Sequence, residues 1–153
     1  MVKPLTNPFR GRPTPLGSLL TAAGQRLSAE LDQALRTAGF DDLRAAHAPV
    51  FMAIDPEGSR LTDLAKRTKM TKQATGELIR YLSEHGYLAV SADPTDGRAR
   101  KVELTPLGWE AIAVGEHVIA GFDQWLEQLI GQQQVTELRH LLTTIAETRP
   151  AAR

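Results

Sequence analysis

Positively charged side chains are concentrated in the middle of the chain. Residues 60–101 include nine basic and five acidic side chains, although the whole chain of 153 residues has 18 of each sign. The nine are Arg60, Lys66, Arg67, Lys69, Lys72, Arg80, Arg98, Arg100 and Lys101. A local excess of this kind can hold the phosphates of a polyanion, but on its own it is equally typical of a solvated surface.

Residue types that could support catalysis or bind a metal are present but are not grouped. His47, His85, His117 and His140 do not have metal-ligand spacing, and the chain has no cysteine. Its serines lie in no nucleophile-elbow or triad context, and it has no glycine-rich phosphate-binding loop. The sequence therefore predicts no catalytic residue, no metal and no cofactor, and the protein is not expected to be an enzyme.

Two short helices are predicted to hold most of the basic residues. Thr62 is a suitable N-cap for a helix over residues 63–68, and Thr71 is one for a second helix over residues 71–85. The second helix has apolar residues at inward-facing positions and ends at Gly86. A tight turn joins the two helices.

A basic hairpin is predicted directly after these helices. Residues 87–91 and 99–104 are rich in β-forming residues and alternate, and residues 92–98 connect them, with arginines at and beside this loop. Two helices around a tight turn, followed by such a hairpin, make a winged helix-turn-helix. That arrangement is suited to binding DNA.

Longer amphipathic helices flank this central part. They are predicted over residues 17–38, 42–54, 105–130 and 133–148, with Thr105-Pro106 as a start signal. Pro49 removes a backbone hydrogen bond and is expected to kink or break the second of them. The long helices have more apolar surface than the small centre can cover, which indicates a homodimer. The predicted fold class is mainly α (α+β): a winged helix-turn-helix with long flanking dimerisation helices.

The chain is predicted to be one structural domain in four segments. These are an extended N-terminal arm (1–16), helices contributing to dimerisation and a cleft (17–55), the DNA-binding lobe (56–104) and C-terminal dimerisation helices (105–148). No apolar run approaches the roughly 20 residues that a membrane span needs, and the N-terminus has no secretory signal pattern. We expect a cytoplasmic protein without a membrane partner.

Nine residues of the predicted winged helix-turn-helix are candidates for contact with DNA. They are Thr71, Lys72, Gln73, Thr75, Gly76, Arg80, Asp96, Arg98 and Arg100. Thr71 begins a helix whose unpaired amides attract phosphate, and the cations strengthen that attraction. Gln73 and Thr75 lie early enough in the helix to reach base edges. Capping alone or simple solvation is the alternative for these polar residues, and Gly76 leaves room either for DNA or for another packed helix.

Two segments together resemble the MarR (multiple antibiotic resistance regulator) family. They are LTDLAKRTKMTKQATGELIRYLSEHGYL, which spans the two short helices, and DPTDGRARKVELTPLG, which spans the hairpin tip and the start of the next helix. The resemblance is close over residues 43–108. It extends to the flanking helices by position and length only.

The resemblance implies an obligate homodimer whose chain ends pack together. In such a dimer the helix over residues 71–85 enters the major groove, and Arg98 of the hairpin enters the adjacent minor groove. Asp96 is implied to orient Arg98. Gly97 stands where a second basic residue is frequent in the family, so we expect one contact with DNA to be missing and the tip to be more flexible.

The resemblance also implies regulation by a small, often aromatic or phenolic ligand. The ligand would lie in a cleft between the dimer helices and the DNA-binding lobe. Arg44, His47, Phe51 and Trp109 are predicted by their position to line this cleft. Core packing or a subunit contact is the alternative for these four residues.

The sequence therefore predicts a sequence-specific transcriptional regulator that binds double-stranded DNA. The hypothesis is a homodimer that represses from a pseudo-palindromic operator and is released by a small aromatic or hydrophobic effector. The alternative is a winged-helix module for protein–protein contact without specific DNA binding, in which case the basic patch is incidental. A salt-dependent shift with promoter DNA distinguishes the two.

Overall fold

The structure is a computed structural model that describes residues 13–148. In chain order its elements are α1 (Leu16–Thr37), a 3₁₀ turn (Ala45–His47), α2 (Ala48–Ala53), β1 (Ser59–Arg60), α3 (Leu61–Arg67), α4 (Lys72–Glu84), β2 (Leu88–Asp93), β3 (Asp96–Leu104), α5 (Pro106–Ile130) and α6 (Gln132–Glu147). The predicted N-terminal arm lies almost entirely outside the described residues. None of the described helices combines the length and apolar character needed to cross a membrane.

The three strands form one antiparallel sheet in the order β1-β3-β2. Strands β2 and β3 pair as far as Asp93 opposite Asp96, so the turn between them has two residues, not the seven predicted. Strand β1 pairs Ser59 with Val102. It is not predicted from the sequence, because two residues are too few to show the alternation that identifies a strand.

The core of the chain up to residue 115 lies between α2, α3, α4 and the sheet. Val50, Leu64, Leu82 and Val102, one from each of these elements, are fully buried in it. Close packing of side chains from four elements fixes their relative positions. Helix α4 is therefore held in a defined place against the sheet.

The described chain divides after Gly115 into two compact units, and α5 runs from one into the other. In the second unit, over residues 116–148, Val135 is the single buried residue. Arg139 and Asp123 form an ion pair there, with nitrogen and oxygen 3.0 Å apart. A pair of helices with one buried residue has almost no core of its own.

The helix predicted over residues 42–54 is shorter in the structure and begins later. The 3₁₀ turn leads into α2, and Pro49 lies in the first turn of that helix. In the first turn of a helix a backbone N–H has no partner within the helix, so a proline there costs no helical hydrogen bond. The expected kink is therefore wrong, because Pro49 helps to begin the helix instead of interrupting it.

The starts of the helices agree with the sequence in two of three cases. Helix α3 begins at Leu61 without a side-chain cap, so the predicted cap at Thr62 is wrong. Thr71 does cap α4, since its hydroxyl accepts a hydrogen bond from the Ala74 amide at 3.1 Å. Thr105 caps α5, since its hydroxyl accepts a hydrogen bond from the Gly108 amide at 3.1 Å. The start of α4 is thus fixed by the residue predicted to fix it.

Candidate DNA-binding site

Helices α3 and α4 are joined by a tight turn that begins the candidate site. Lys69 in this turn has φ +55°, in the left-handed region that residues other than glycine seldom adopt. At the other end of α4, Gly86 has φ +82° and ends the helix as predicted. These two residues fix the length and direction of the helix between them.

Thr75 faces the inside of the motif and not the solvent. Its side chain is 0% exposed, and its hydroxyl lies 3.2 Å from that of Thr68, which follows α3. The prediction that Thr75 reaches a base edge is therefore wrong. It lies four residues before the buried Ile79, so helical spacing contains the signal for its inward position. The hydroxyl pair connects α3 to α4.

Gln73 lies on the outward face of α4. Its amide nitrogen donates a hydrogen bond to Glu77 Oε1 at 3.1 Å. That bond uses one of the two N–H groups of the side chain, so the second N–H and the carbonyl oxygen remain available. Those two groups are the ones needed for a bidentate contact with adenine.

Gly76 lies in the interior of α4 with open space around it. A side chain at this position would meet no atom of another described element within 4 Å. Packing against another element of the described chain therefore does not explain a glycine that costs helix stability.

The nine basic side chains of residues 60–101 fall into two groups. Four form ion pairs: Arg60 with Asp93, Lys66 with Asp63, Arg67 with Asp55 and Lys101 with Glu103. The other five, here called the unpaired cations, are Lys69, Lys72, Arg80, Arg98 and Arg100. They are exposed, and in residues 13–148 they are the only lysines and arginines without an ion pair or a side-chain hydrogen bond. They lie in the α3–α4 turn, on α4 and on β3.

Asp96 acts on Arg98 through the backbone. Its carboxylate accepts a hydrogen bond from the Arg98 amide at 3.1 Å, while the Arg98 guanidinium has no partner among residues 13–148. In the described chain, Asp96 therefore orients the main chain of Arg98 and leaves its side chain available.

Asp93 is a wing residue that the sequence analysis misses. The residue is 8% exposed, and its carboxylate accepts hydrogen bonds from the Thr95 hydroxyl at 2.6 Å, the Thr95 amide at 2.8 Å and Arg60 Nε at 2.6 Å. These bonds, those from Thr95 most of all, hold the pKa of Asp93 well below its usual range. Arg60 lies 33 residues away in sequence, so no local pattern indicates the pair.

The residues predicted to line a ligand cleft are partly packed. The Arg44 guanidinium donates to two nearby backbone carbonyls. His47 stacks on Tyr81 of α4 with ring centres 5.0 Å apart, and burial, with Arg44 nearby, lowers the pKa of His47. Phe51 packs edge-on against a buried tyrosine, whereas Trp109 is 45% exposed. Packing, the alternative for these four, thus describes His47 and Phe51.

An open cleft of about 560 Å³ lies beside α2 and α3. It is lined by Pro49, Met52, Ala53, Ile54, Asp55, Arg67 and Thr68, and none of the four predicted ligand residues lines it. Arg67 pairs with Asp55 there at 2.7 Å and lowers the pKa of that carboxylate. Residues 13–148 contain no group of three or more His, Asp or Glu side chains that could hold a metal ion.

A winged helix-turn-helix protein is the class that this arrangement defines, because a capped, outward-facing helix follows a tight turn and precedes a basic wing. Residues 41–99 match the family model described as MarR family, a range that includes every candidate DNA contact except Arg100. The matched residues include most of the winged helix-turn-helix, and the fold of the described chain is similar to that of solved MarR family regulators. Regulators of this family are non-enzymatic, which confirms that expectation from the sequence.

Similar solved structures cover most of the chain. A MarR family regulator from Rhodococcus sp. RHA1 is 20% identical over 89% of this chain and 95% of its own, with a TM-score of 0.70. The transcriptional repressor CouR, bound to a 23-mer DNA duplex, is 22% identical over 87% and 93%, with a TM-score of 0.73. Bordetella bronchiseptica BpsR, whose DNA binding is regulated by 6-hydroxynicotinic acid, is 28% identical over 86% and 98%, with a TM-score of 0.69. No curated protein sequence is significantly similar to this chain.

Proposed function

We propose that this regulator is a homodimeric repressor that binds a pseudo-palindromic operator in double-stranded DNA. Each subunit inserts α4 into a major groove and the hairpin of β2 and β3, here called the wing, into the adjacent minor groove. The residues proposed to meet DNA are Thr71, Lys72, Gln73, Gly76, Arg80, Arg98 and Arg100, with Asp96 holding the Arg98 main chain. The protein acts in the cytoplasm, where a bacterial operator is accessible.

The location of the unpaired cations is the observation that supports DNA binding most strongly. Acidic partners neutralise the cations that stabilise the lobe, whereas the five unpaired cations are confined to the turn, α4 and β3. If these cations only made the surface soluble, there would be no reason for them to be confined to these three elements. DNA phosphates give one, because they would neutralise the five cations on binding.

Exposed apolar side chains support the dimer. They are Leu16, Leu19 and Leu20 of α1 and Leu138, Leu141, Leu142 and Ile145 of α6. Because residues 116–148 have one buried residue, the apolar side chains of α6 need a partner surface to leave water, and those of α1 are exposed as well. We place the interface on residues 16–37 and 107–148.

Selection of genomic fragments by the purified protein tests the proposal. A dimeric repressor selects fragments that share an inverted repeat with half-site centres about 10 base pairs, or a multiple of that, apart. Its affinity for them falls steeply with salt, and one selected site silences a downstream reporter gene. Weak binding without sequence preference favours the protein–protein module instead.

Replacing Gly76 with alanine is expected to separate folding from DNA binding. Alanine stabilises a helix interior by roughly 0.5–1 kcal/mol relative to glycine, and nothing outside the helix obstructs the added methyl group. The thermal midpoint therefore rises. Operator affinity falls, because the methyl group keeps the DNA backbone from approaching α4.

Thermal unfolding and operator titration of the same Gly76→Ala variant check this prediction. Ser83→Ala, near the other end of the same helix and outside the proposed DNA contacts, is the control, and it should leave operator affinity nearly unchanged. Unchanged operator affinity in the Gly76 variant would show that DNA does not come close at this point.

We further propose that a small aromatic or hydrophobic acid weakens DNA binding. The similarity to BpsR, whose DNA binding is regulated by 6-hydroxynicotinic acid, supports this. The proposed lining residues remain Arg44, His47, Phe51 and Trp109. Because His47 stacks on Tyr81 of α4, a ligand that displaces the imidazole would act directly on the helix that meets DNA.

A panel of aromatic acids tests this response. Binding near Trp109 is expected to change tryptophan emission and to weaken operator binding by about 1–3 kcal/mol, with DNA weakening ligand binding by the same amount. A Trp109→Phe control identifies which emission responds. If no acid in a broad panel alters either emission or operator affinity, the ligand proposal is wrong.

A further inference from the structure

We propose that Asp93, together with Arg60, is a positioning residue for DNA binding. This inference rests on the proposed insertion of the wing into a minor groove. Asp93 does not touch DNA itself in this proposal. It fixes the tip of the wing so that Arg98 projects in the direction that binding requires.

The geometry of the tip supports this role. Asp93 is the last residue of β2, and its carboxylate bonds both to Arg60 of β1 and to Thr95 in the two-residue turn. Arg60 also reaches the turn directly, with Nη2 donating to the Thr95 hydroxyl at 3.1 Å. The tip is therefore tied on one side to the residue that precedes α3.

This connection joins the two parts of the DNA-binding surface. Arg60 leads into α3, which packs against α4, while Thr95 lies three residues before Arg98. A hairpin tip without this tie could swing independently of the helices. With it, the position of Arg98 relative to α4 is set before DNA arrives, which reduces the entropy lost on binding.

Whether DNA affinity rises or falls when Asp93 is neutralised distinguishes a positioning role from a purely electrostatic one. Asp93 is negatively charged, and its depressed pKa keeps it so at any pH at which DNA binding is measured. Removing a negative charge from a DNA-binding lobe should by itself strengthen binding to phosphate. A positioning role predicts the opposite, because Arg98 loses its defined direction.

The Asp93→Asn variant tests the proposal against this sign. We expect operator affinity to fall roughly eightfold per wing at 0.1 M salt and the salt slope to fall by about one unit per wing, as if Arg98 were absent. Glu84→Gln is the matched control, because Glu84 is an exposed acid of α4 without an ion pair in residues 13–148. It should bind equally or more tightly. An Asp93→Asn variant that binds as tightly as the unchanged protein at every salt concentration overturns the proposal.

A double-variant cycle with Arg98→Ala identifies the route of the effect. If Asp93 acts through Arg98, adding Asp93→Asn to Arg98→Ala changes affinity little. Fully additive losses would show that Asp93 does not act through Arg98 and would overturn the proposal. Thr95→Val keeps the charge of the lobe, removes one bond to Asp93 and is expected to give an intermediate loss, so the test holds even if Asp93→Asn is poorly folded.

Discussion

Replacing both Leu141 and Ile145 of α6 with aspartate is expected to give a monomer whose operator affinity is about 100-fold to 10,000-fold lower. The two side chains are 51% and 64% exposed, so the described chain does not depend on them for its core. In the proposed dimer they are buried against the partner, where an unpaired carboxylate is costly. The unit that ends at Gly115 keeps its own core.

The loss is large because two linked half-site contacts become one. In a dimer the second DNA-binding lobe is held near its half-site, so its binding adds to affinity without a second loss of translational freedom. A monomer binds each half-site separately. Its affinity for the intact operator should approach that of the unchanged protein for a single half-site.

Sedimentation at micromolar concentration and operator titration check this prediction together. The control places the same two charges elsewhere on α6, as His140→Asp with Thr143→Asp, which lie away from the row formed by Leu141 and Ile145. That variant should remain a dimer with nearly unchanged affinity. A stable monomer in the unchanged protein, or tight operator binding by the Leu141 and Ile145 variant, would contradict the dimer proposal.

Replacing Arg98 with alanine is expected to weaken binding to every DNA sequence. The lost guanidinium no longer enters a narrow minor groove, whose negative potential depends on groove shape more than on base identity. Each lost contact lowers the salt slope by about 0.9, which amounts to roughly eightfold in affinity at 0.1 M salt for each of the two wings. The fold is expected to be unchanged, since the side chain has no partner among residues 13–148.

Replacing Gln73 with alanine is expected to weaken DNA binding in a different way. Its free N–H and carbonyl, with the side chain held by Glu77, can pair with one adenine. Losing that pair costs roughly 1–3 kcal/mol on the right base but leaves the salt slope and non-specific binding nearly unchanged. Specificity therefore falls at one position of each half-site.

Binding isotherms on operator and scrambled duplex at several salt concentrations separate the two variants. Arg98→Ala should shift both duplexes alike, and Gln73→Ala should shift the operator only. Should the Arg98 variant bind like the unchanged protein at every salt concentration, the wing does not touch DNA. Equal losses on both duplexes for the Gln73 variant would assign that residue to phosphate and not to a base.

Local signals in the sequence predict the elements that place the site. Thr71 and Thr105 cap the helices they were expected to cap, because an N-cap hydrogen bond involves residues only three apart. Gly86 ends α4 for an equally local reason, its left-handed backbone. The winged helix-turn-helix follows from such signals in combination.

The features that the sequence does not predict depend on contacts between distant residues or on competition between two local preferences. The bond of Asp93 to Arg60 spans 33 residues, and β1 is a strand only because β3 is beside it. The residue type of Thr75 favours an exposed position, whereas its helical spacing favours a buried one. In the structure it is buried, and its hydroxyl lies within hydrogen-bond distance of that of Thr68. Pro49 can either break or begin a helix, and only the fold selects which.

Because the second unit has a single buried residue, its stability is expected to depend on protein concentration. If residues 116–148 bury their apolar side chains mainly by association, folding and assembly of these helices are one equilibrium. Dilution then lowers their free energy of unfolding although no contact within the subunit has changed. The intracellular concentration of this regulator would therefore determine both how many operators are occupied and what fraction of chains resists proteolysis.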